Sequence, residues 1–251
     1  MTSPECPKAE CTMATFTGAG PDPGAGSTEL LWGLSQREPK PTRPVLTIER
    51  IADAATGIAD ADGIAGVSMH LVASKLDVTK MALYRHVRNK AELLAVMTEL
   101  AIGPAPDLLA LPGDWRSRLE EWTVRMRETW QRHPWLPDAT VGVRATGPRE
   151  IGWTESAVAA LAGTGLTGAE RMDAVFLISG HLRNTHSTNN AGTQPWEGDR
   201  GLRGHVAANP DMFPALHEAA KAIEDAPADN GFEFGLQRIL DGLAALIDRR
   251  R

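Results

Sequence analysis

Apolar residues recur at helical spacing along most of this chain. From Thr47 onward, Ile and Ala repeat every three or four residues, which places them on one face of an α-helix. This pattern ends near Gly63, since glycine accommodates the left-handed turn that often closes a helix. Shorter apolar stripes follow over residues 69–75, 81–87 and 93–100. The region 45–103 therefore predicts three helices and a fourth that continues to Gly103.

A break at residues 103–106, which read Gly-Pro-Ala-Pro, predicts a domain boundary. Beyond it the pattern predicts helices at about 115–133, 149–162, 168–188, 214–224 and from residue 232 to the C-terminus. The segment 189–212 is rich in Gly, Asn and Pro, so we expect an irregular, mobile loop there. The predicted fold is all-α, with an N-terminal helix-turn-helix domain at 45–103 and a C-terminal helical bundle at 107–251.

The last predicted helix has an apolar stripe that is too broad to be buried on one side. One face can pack within its own bundle, and the other is most simply covered by a second copy of the chain. Gly235 and Gly242 lie seven residues apart, close to one face, and would allow helices to approach closely. We therefore expect a homodimer through the C-terminal helices. The residues that would build it include Val175, Phe176, Ile178, Leu182, Phe232, Leu236, Ile239, Leu243 and Leu246.

Residues 1–44 are rich in Pro and Gly and have little periodic apolar content, so we expect most of this segment to be flexible. A small apolar group at residues 30–32 could dock on the folded part. Arg37, Lys40 and Arg43 lie among prolines just before the first helix. They fit two interpretations: a solvated linker, or a basic arm that enters a DNA minor groove.

Composition excludes several classes of protein. The chain has 251 residues, is 42% hydrophobic and contains few aromatic residues, which favours a sizeable helical core. No apolar run approaches the length of a membrane span, and no secretory signal is visible. Both cysteines, Cys6 and Cys11, lie in the N-terminal segment, which argues against a disulfide framework or a structural zinc site. These features predict a cytoplasmic protein that does not interact with a membrane.

Charge is distributed unevenly along the chain. Its formal net charge is −6, yet the stretch 68–90 carries five Lys and Arg residues against one Asp, a local charge of +4. This stretch also predicts two short helices joined by a turn, with Ser68 as the N-cap of the first. A basic helical island in an acidic protein indicates binding to DNA phosphates.

The residues 78–94, VTKMALYRHVRNKAELL, resemble the recognition-helix signature of the tetracycline repressor (TetR) family. The resemblance is close from about Leu46 to Leu94 and continues more weakly to the C-terminus. It points to an antibiotic-responsive, actinobacterial-type branch with an N-terminal extension. Asp77 departs from the family pattern, which usually has Gly in this turn. His70 departs as well, since it begins a pair of positions that often carries two Arg residues.

The resemblance implies a set of DNA contacts. Lys80 and Thr79 would face base edges, while Tyr84 and Lys90 would reach phosphates. The alternatives are a solvated charge for Lys80 and a packing role for Tyr84. The complete predicted DNA-binding set is Ser68, His70, Thr79, Lys80, Met81, Ala82, Tyr84, Arg85, His86, Lys90 and Arg43.

The C-terminal domain also offers a candidate binding site for a small-molecule effector, with an apolar wall and a few polar groups. The predicted ligand-binding residues are Trp122, Met126, Trp130, Trp153, Phe176, His181, Asn184 and His186. For most of them a plain core role is the alternative. The five-residue separation of His181 and His186 suits metal binding poorly, so neither a metal nor a cofactor is expected.

The predicted function is a ligand-responsive repressor that binds a palindromic operator in double-stranded DNA as a homodimer and is released by a small molecule. One alternative is a DNA-binding regulator that has no ligand and answers to a protein partner. The other is an enzyme with an acid–base site built from His181, His186 and Asp173. The chain carries no nucleophile elbow, phosphate loop or metal signature, which argues against an enzyme.

Overall fold

The computed structural model describes residues 25–34, 45–191, 200–223 and 230–250, and within these ranges every regular element is an α-helix, which confirms the predicted all-α class. The first five helices are α1 (Ala25–Leu34), α2 (Ile48–Gly66), α3 (Met69–Lys75), α4 (Lys80–Tyr84) and α5 (Lys90–Ile102). They are followed by α6 (Trp115–Arg132), α7 (Leu136–Ala139), α8 (Pro148–Ala160) and α9 (Gly168–Ala191). The last three are α10 (Arg200–Ala208), α11 (Pro214–Ile223) and α12 (Asn230–Asp248).

Helix α2 begins where the sequence predicted. The hydroxyl of Thr47 accepts a hydrogen bond of 3.3 Å from the backbone N–H of Arg50, which caps the first turn. At Gly63 the backbone leaves helical geometry, with φ of 75°, and a short last turn follows to Gly66. The buried side of α2 packs on α3 and α5, so helices α2 to α4 and the start of α5 form one compact unit, which we call the head.

Helix α5 joins the head to the remaining helices, which we call the body (residues 107–250). The sequence predicted a single apolar stripe on α5, but the structure buries it on almost every side, including the polar residues Thr98 and Glu99. This happens because α5 packs on α2 within the head and on α7 and α8 within the body. A movement of α7 or α8 would therefore act directly on α5.

The body is organised around α6, α8 and α9, which pack on one another, while α12 packs along α9. Gly235 confirms the expected close approach, because a Cβ at this position would collide with the imidazole of His181 on α9. Gly242 behaves differently. A Cβ there would meet no other described atom within 4 Å, so its side of α12 is open in the single chain.

The prediction of an irregular loop over residues 189–212 was wrong for much of its length. Helix α9 continues to Ala191, and residues 200–208 form α10. Helix α10 packs on α11, and Val206 is buried, so tertiary contact outweighs the low helix propensity of a Gly- and Asn-rich stretch. Residues 192–199 lie outside the described residues.

The expectation of flexibility in residues 1–44 was wrong for one segment. Residues 25–34 form α1, which packs on α5, and Leu31 is only 1% exposed. The predicted docking of the apolar group at residues 30–32 is therefore confirmed, with α5 as the surface it contacts. Arg37, Lys40 and Arg43 lie outside the described residues, and the basic arm stays a prediction.

Candidate functional sites

The first candidate site is the pair of short helices α3 and α4, which stand at the surface of the head. Ser68 is the N-cap of α3, as predicted, and its hydroxyl accepts a hydrogen bond of 3.2 Å from the N–H of Leu71. Thr79 caps α4 in the same way, accepting a bond of 3.2 Å from the N–H of Ala82. Leu83 and Val87 are fully buried and fix the inner side of this segment, so its outer side has a defined orientation.

The turn between the two helices contains a strained residue. Asp77 has φ of 53°, and it is the one described residue other than glycine with a positive φ. This left-handed conformation is where the resemblance implies a glycine, and Asp is among the side chains that tolerate it best. The departure at Asp77 therefore preserves the turn at some cost in backbone strain.

Replacing Asp77 should reveal that strain. We expect Asp77→Gly to keep or raise the free energy of unfolding, by up to about 1 kcal/mol, and β-branched Asp77→Val to lower it by roughly 1–2 kcal/mol. Urea titration of the purified variants would measure both. Asp77→Asn serves as the control, because Asn also tolerates the left-handed region and removes only the charge. Equal stabilities for the Val and Asn variants would show that the conformation is not strained.

The outer side of α3 and α4 carries most of the predicted DNA contacts, and we call it the basic surface. Met81 is 70% exposed although it is apolar, which a packing role does not explain. Exposed members of the predicted set are His70, Thr79, Lys80, Met81, Tyr84, Arg85 and Lys90, whereas Ser68, Ala82 and His86 are half-buried. Arg43 lies outside the described residues.

Two further residues belong to the basic surface but were missed in the sequence. Leu71 was assigned to the buried stripe of its helix, yet it is 46% exposed beside His70. The neighbouring positions explain this, because Met69, Val72 and Ala73 already occupy the inner face and leave residue 71 pointing outward. Arg88 is exposed as well.

The positive charge of the basic surface is largely uncompensated. Arg88 forms an ion pair of 3.4 Å with Glu92. Within the described residues, Lys75, Lys80, Arg85 and Lys90 form no ion pair with a carboxylate. The Asn89 amide oxygen caps α5 by accepting from the N–H of Glu92 at 2.8 Å. The Glu92 carboxylate accepts from the N–H of Arg88 and not from that of Asn89, so the reciprocal bond of a capping box is absent. These cations are free to contact phosphates.

The second candidate site is a cavity of about 370 Å³ inside the body, between α6, α8 and α9. Two tryptophans form much of its wall: Trp122 donates from Nε1 to the carbonyl of Trp153 at 2.9 Å, and their rings meet edge to face with centroids 6.1 Å apart. A cavity of this size accommodates a small organic molecule. Its lining residues are Ile102, Trp122, Met126, Trp130, Thr140, Glu150, Trp153, Thr154, Phe176, Ser179, Gly180, Leu182 and Arg183.

Five of the eight predicted ligand-binding residues line this cavity: Trp122, Met126, Trp130, Trp153 and Phe176. The structure does not bring the other three into it. His181 stacks on Phe232 of α12 and donates to the carbonyl of that residue at 2.8 Å. Asn184 is exposed. His186 packs edge to face on the ring of Trp130, and burial lowers the pKa of its imidazole.

Five polar or charged residues of the cavity were missed in the sequence: Thr140, Glu150, Thr154, Ser179 and Arg183. The spacing of these residues in the sequence does not indicate a common site. Thr140 lies after the very short helix α7, and Glu150 and Arg183 lie on different helices. Glu150 is neutralised by Arg144, whose Nη1 lies 2.8 Å from one of its carboxylate oxygens. Arg183 is half-buried, and desolvation lowers the pKa of its guanidinium.

The cavity is connected to α5 by hydrogen bonds that cross from body to head. Trp153 donates from Nε1 to the carbonyl of Gly103, at the end of α5, over 3.3 Å. The buried carboxylate of Glu99 accepts from the N–H of Arg149 at the start of α8, over 2.8 Å. Burial raises the pKa of Glu99, and the hydrogen bonds from the N-terminal turn of α8 oppose that rise. Residues of α8 thus contact both the cavity and the linking helix.

A second junction between head and body lies at Asp60 on α2. Its Oδ1 accepts from the indole N–H of Trp135 at 2.7 Å and lies 2.9 Å from Nδ1 of His133. A polar crevice of about 730 Å³ opens near this junction, between α2 and α6. In addition to the packing of α5, these polar contacts hold α2 of the head to the segment that joins α6 and α7 in the body.

Within the described ranges, no three His, Cys, Asp or Glu side chains gather in a way that could hold a metal ion. No helix in this part of the chain combines the length and apolarity needed to cross a lipid bilayer.

Comparison with known proteins gives matches along both parts of the chain. Residues 46–97 match the family described as bacterial regulatory proteins, tetR family, and residues 109–247 match the tetracyclin repressor-like C-terminal domain. The chain is 33% identical over 244 residues to the HTH-type transcriptional repressor DrrR1 of Streptomyces coeruleorubidus, covering 90% of this chain and 88% of that protein. It is 28% identical over 184 residues to the class A tetracycline repressor protein from transposon 1721 of Escherichia coli, covering 72% and 83%.

Among solved structures, the fold is similar to ActR, a TetR family protein of Streptomyces coelicolor. The ActR complex with actinorhodin superposes with a TM-score of 0.71 and 26% identity, covering 81% of this chain and 97% of ActR. The ActR complex with (S)-DNPA gives a TM-score of 0.70 and 26% identity, covering 81% and 99%.

Proposed function

Because the chain belongs to the tetR family of bacterial regulatory proteins, we propose that it is a repressor of transcription that leaves its operator when a small molecule fills the body cavity. The basic surface is the observation that carries this proposal, since a cluster of unpaired cations on a helix-turn-helix suits DNA phosphates. The chain is not an enzyme. Its site of action would be the cytoplasm, where bacterial DNA is found.

We propose that α4 lies in the major groove of the operator. Lys80, at its first turn, would read a base edge, and exposed Met81 would contact a thymine methyl group. Tyr84 and Lys90 would contact phosphates, which set position and salt dependence. The hydroxyl of Thr79 accepts the capping hydrogen bond of α4, and its O–H remains available to donate to a base.

Substitution of Lys80 tests this arrangement. We expect Lys80→Ala to reduce discrimination between the operator and a single-base variant by about 1–3 kcal/mol, because a lost base contact relaxes sequence preference. Operator fragments selected from random DNA by the wild-type protein would be used in competition titrations. Lys90→Ala is the matched control and should weaken binding to all sequences alike while lowering the salt slope by about one. Unchanged discrimination in the Lys80→Ala variant would show that Lys80 does not contribute to the recognition of a base.

We propose that α9 and α12 form the homodimer interface, so that two heads reach successive half-sites of a palindromic operator. Leu177 and Phe234 expose apolar surface on these helices, at 55% and 59%. Gly242 would let a helix of a second copy approach, since a Cβ at this position would meet no other described atom within 4 Å. A patch with these properties is typical of an interface between copies of a chain.

We propose that the effector is a flat aromatic molecule. The cavity wall consists largely of tryptophan rings, which bind such molecules by stacking and edge contacts. ActR, described in complex with actinorhodin, supports a small-molecule effector. A ligand in the cavity would press on Trp153 and α8, whose contacts with Gly103 and Glu99 lead to α5 and the head. The proposed domain boundary at residues 103–107 separates the DNA-binding head from the body that would bind the effector.

A further inference from the structure

The cavity contains a cation that no carboxylate of the described residues pairs with. Arg183 projects from α9 into the wall, and its guanidinium stacks over the ring of Trp130 at 5.2 Å from the ring centroid. Its Nη1 donates to the carbonyl of Pro137, and its Nη2 donates to the hydroxyl of Thr140 at 3.1 Å. Since a guanidinium has five N–H groups, these two acceptors leave part of its donor capacity unused.

The carboxylates nearest to Arg183 do not neutralise it. Glu150 also lines the cavity, but its two oxygens are engaged by Arg144. Asp138 is exposed to solvent; its carboxylate opposes the lowering of the Arg183 pKa from a distance but forms no ion pair with the guanidinium. Burial lowers the pKa of the His186 imidazole, and a histidine side chain supplies no counterion to a guanidinium. Burying a cation without an ion-paired carboxylate is destabilising, so an anion that entered the cavity beside Arg183 would be stabilised.

A second donor in the cavity wall, the indole N–H of Trp130, lacks a hydrogen-bond acceptor among the described residues. Its Nε1 is buried, although the side chain lines the cavity. A buried N–H without an acceptor is destabilising, so such a group in a cavity wall points to an acceptor that arrives with the ligand. Two hydrogen-bond donors, one of them charged, therefore belong to one aromatic wall.

We propose that the effector is an aromatic acid whose anionic group is bound by the guanidinium of Arg183 and the indole N–H of Trp130. This inference rests on the proposed function, because it takes the body cavity as the effector site. The tryptophan wall holds the flat ring system, and the two donors select a ligand with a carboxylate or an equally acidic oxygen. Charge-assisted hydrogen bonds to the guanidinium give this selection its strength.

Two probes of the same shape test the inference: anthraquinone-2-carboxylate and its uncharged carboxamide. Quenching of tryptophan fluorescence in the full-length protein would give both dissociation constants. We expect the carboxylate to bind about tenfold to a hundredfold more tightly. Arg183→Met should remove this preference while retaining binding of the carboxamide. Arg171→Met, a half-buried arginine on the same helix outside the cavity, is the matched control and should keep the preference.

The possible outcomes separate the inference from the proposed function. Equal binding of both probes to the wild-type protein overturns the anionic selection and leaves an aromatic effector site standing. A preference that survives Arg183→Met shows that another group selects the charge. Failure of both probes to bind, with operator binding intact, overturns the inference and the aromatic effector together but not the repressor. If Arg183→Met fails to fold, Trp130→Phe carries the test. It removes the N–H together with part of the ring, so both probes should bind more weakly and the carboxylate should lose more affinity than the carboxamide.

Discussion

Leu177→Glu is expected to convert the protein to a monomer and to weaken operator binding by at least about 100-fold. The side chain is apolar, 55% exposed on α9 and absent from the cavity lining, so a charge there would oppose a second copy without disturbing the ligand site. A carboxylate buried in an apolar interface loses its hydration without gaining a counterion, which strongly destabilises the association. Loss of the second head removes the gain from simultaneous contact with two half-sites, which is commonly 10²–10⁴-fold.

Sedimentation velocity and fluorescence anisotropy with an operator fragment would measure the two effects on the same sample. Val143→Glu introduces the same charge at a fully exposed loop position outside α9 and α12, and it should leave both properties unchanged. A Leu177→Glu protein that remains dimeric would rule out this face of α9. A monomer that binds the operator as tightly as the wild type would show that two heads are not required.

The head could be predicted from sequence almost helix by helix, because local signals determine it. The caps at Thr47, Ser68 and Asn89 are short polar side chains at the start of apolar stripes, and each accepts a hydrogen bond from a backbone N–H of the first helical turn. Leu71 shows the limit of this reasoning. On a helix of seven residues, periodicity alone does not decide which of two adjacent apolar positions faces inward. The contacts of α3 with α2 and α4 determine its orientation.

The cavity could be predicted only in part. Its tryptophans stand out because large aromatic residues at helical spacing must either fill a core or line a space within one. Arg183 carries no such signal, since a single arginine on a long helix is usually solvated. Its burial depends on contacts with the carbonyl of Pro137 and the hydroxyl of Thr140, some 45 residues away along the chain. His181 was misplaced for the same reason, because the closeness of Gly235 on α12 draws it to the other side of α9.

Thr154→Trp is expected to abolish the response to the effector while leaving operator binding intact. Thr154 lies on α8, lines the cavity and is only partly exposed, so an indole at this position would occupy space that the ligand needs. Because a dense side chain and a ligand cannot share a cavity of about 370 Å³, affinity for anthraquinone-2-carboxylate should fall by about 100-fold or more. The basic surface lies on other helices, and the dissociation constant for the operator should stay within about threefold of the wild-type value.

Glu155→Trp adds the same side chain one residue further along α8, where the position is exposed and turned about 100° away. This control should bind the probe as the wild type does, and thermal melts of both variants would show whether either is unfolded. If Thr154→Trp overpacks the body and unfolds it, the smaller substitution Thr154→Leu can be used instead. It should reduce the affinity for the probe by a smaller factor. Wild-type affinity for the probe in a folded Thr154→Trp protein would place the effector site elsewhere, with the crevice between α2 and α6 as the next position to block.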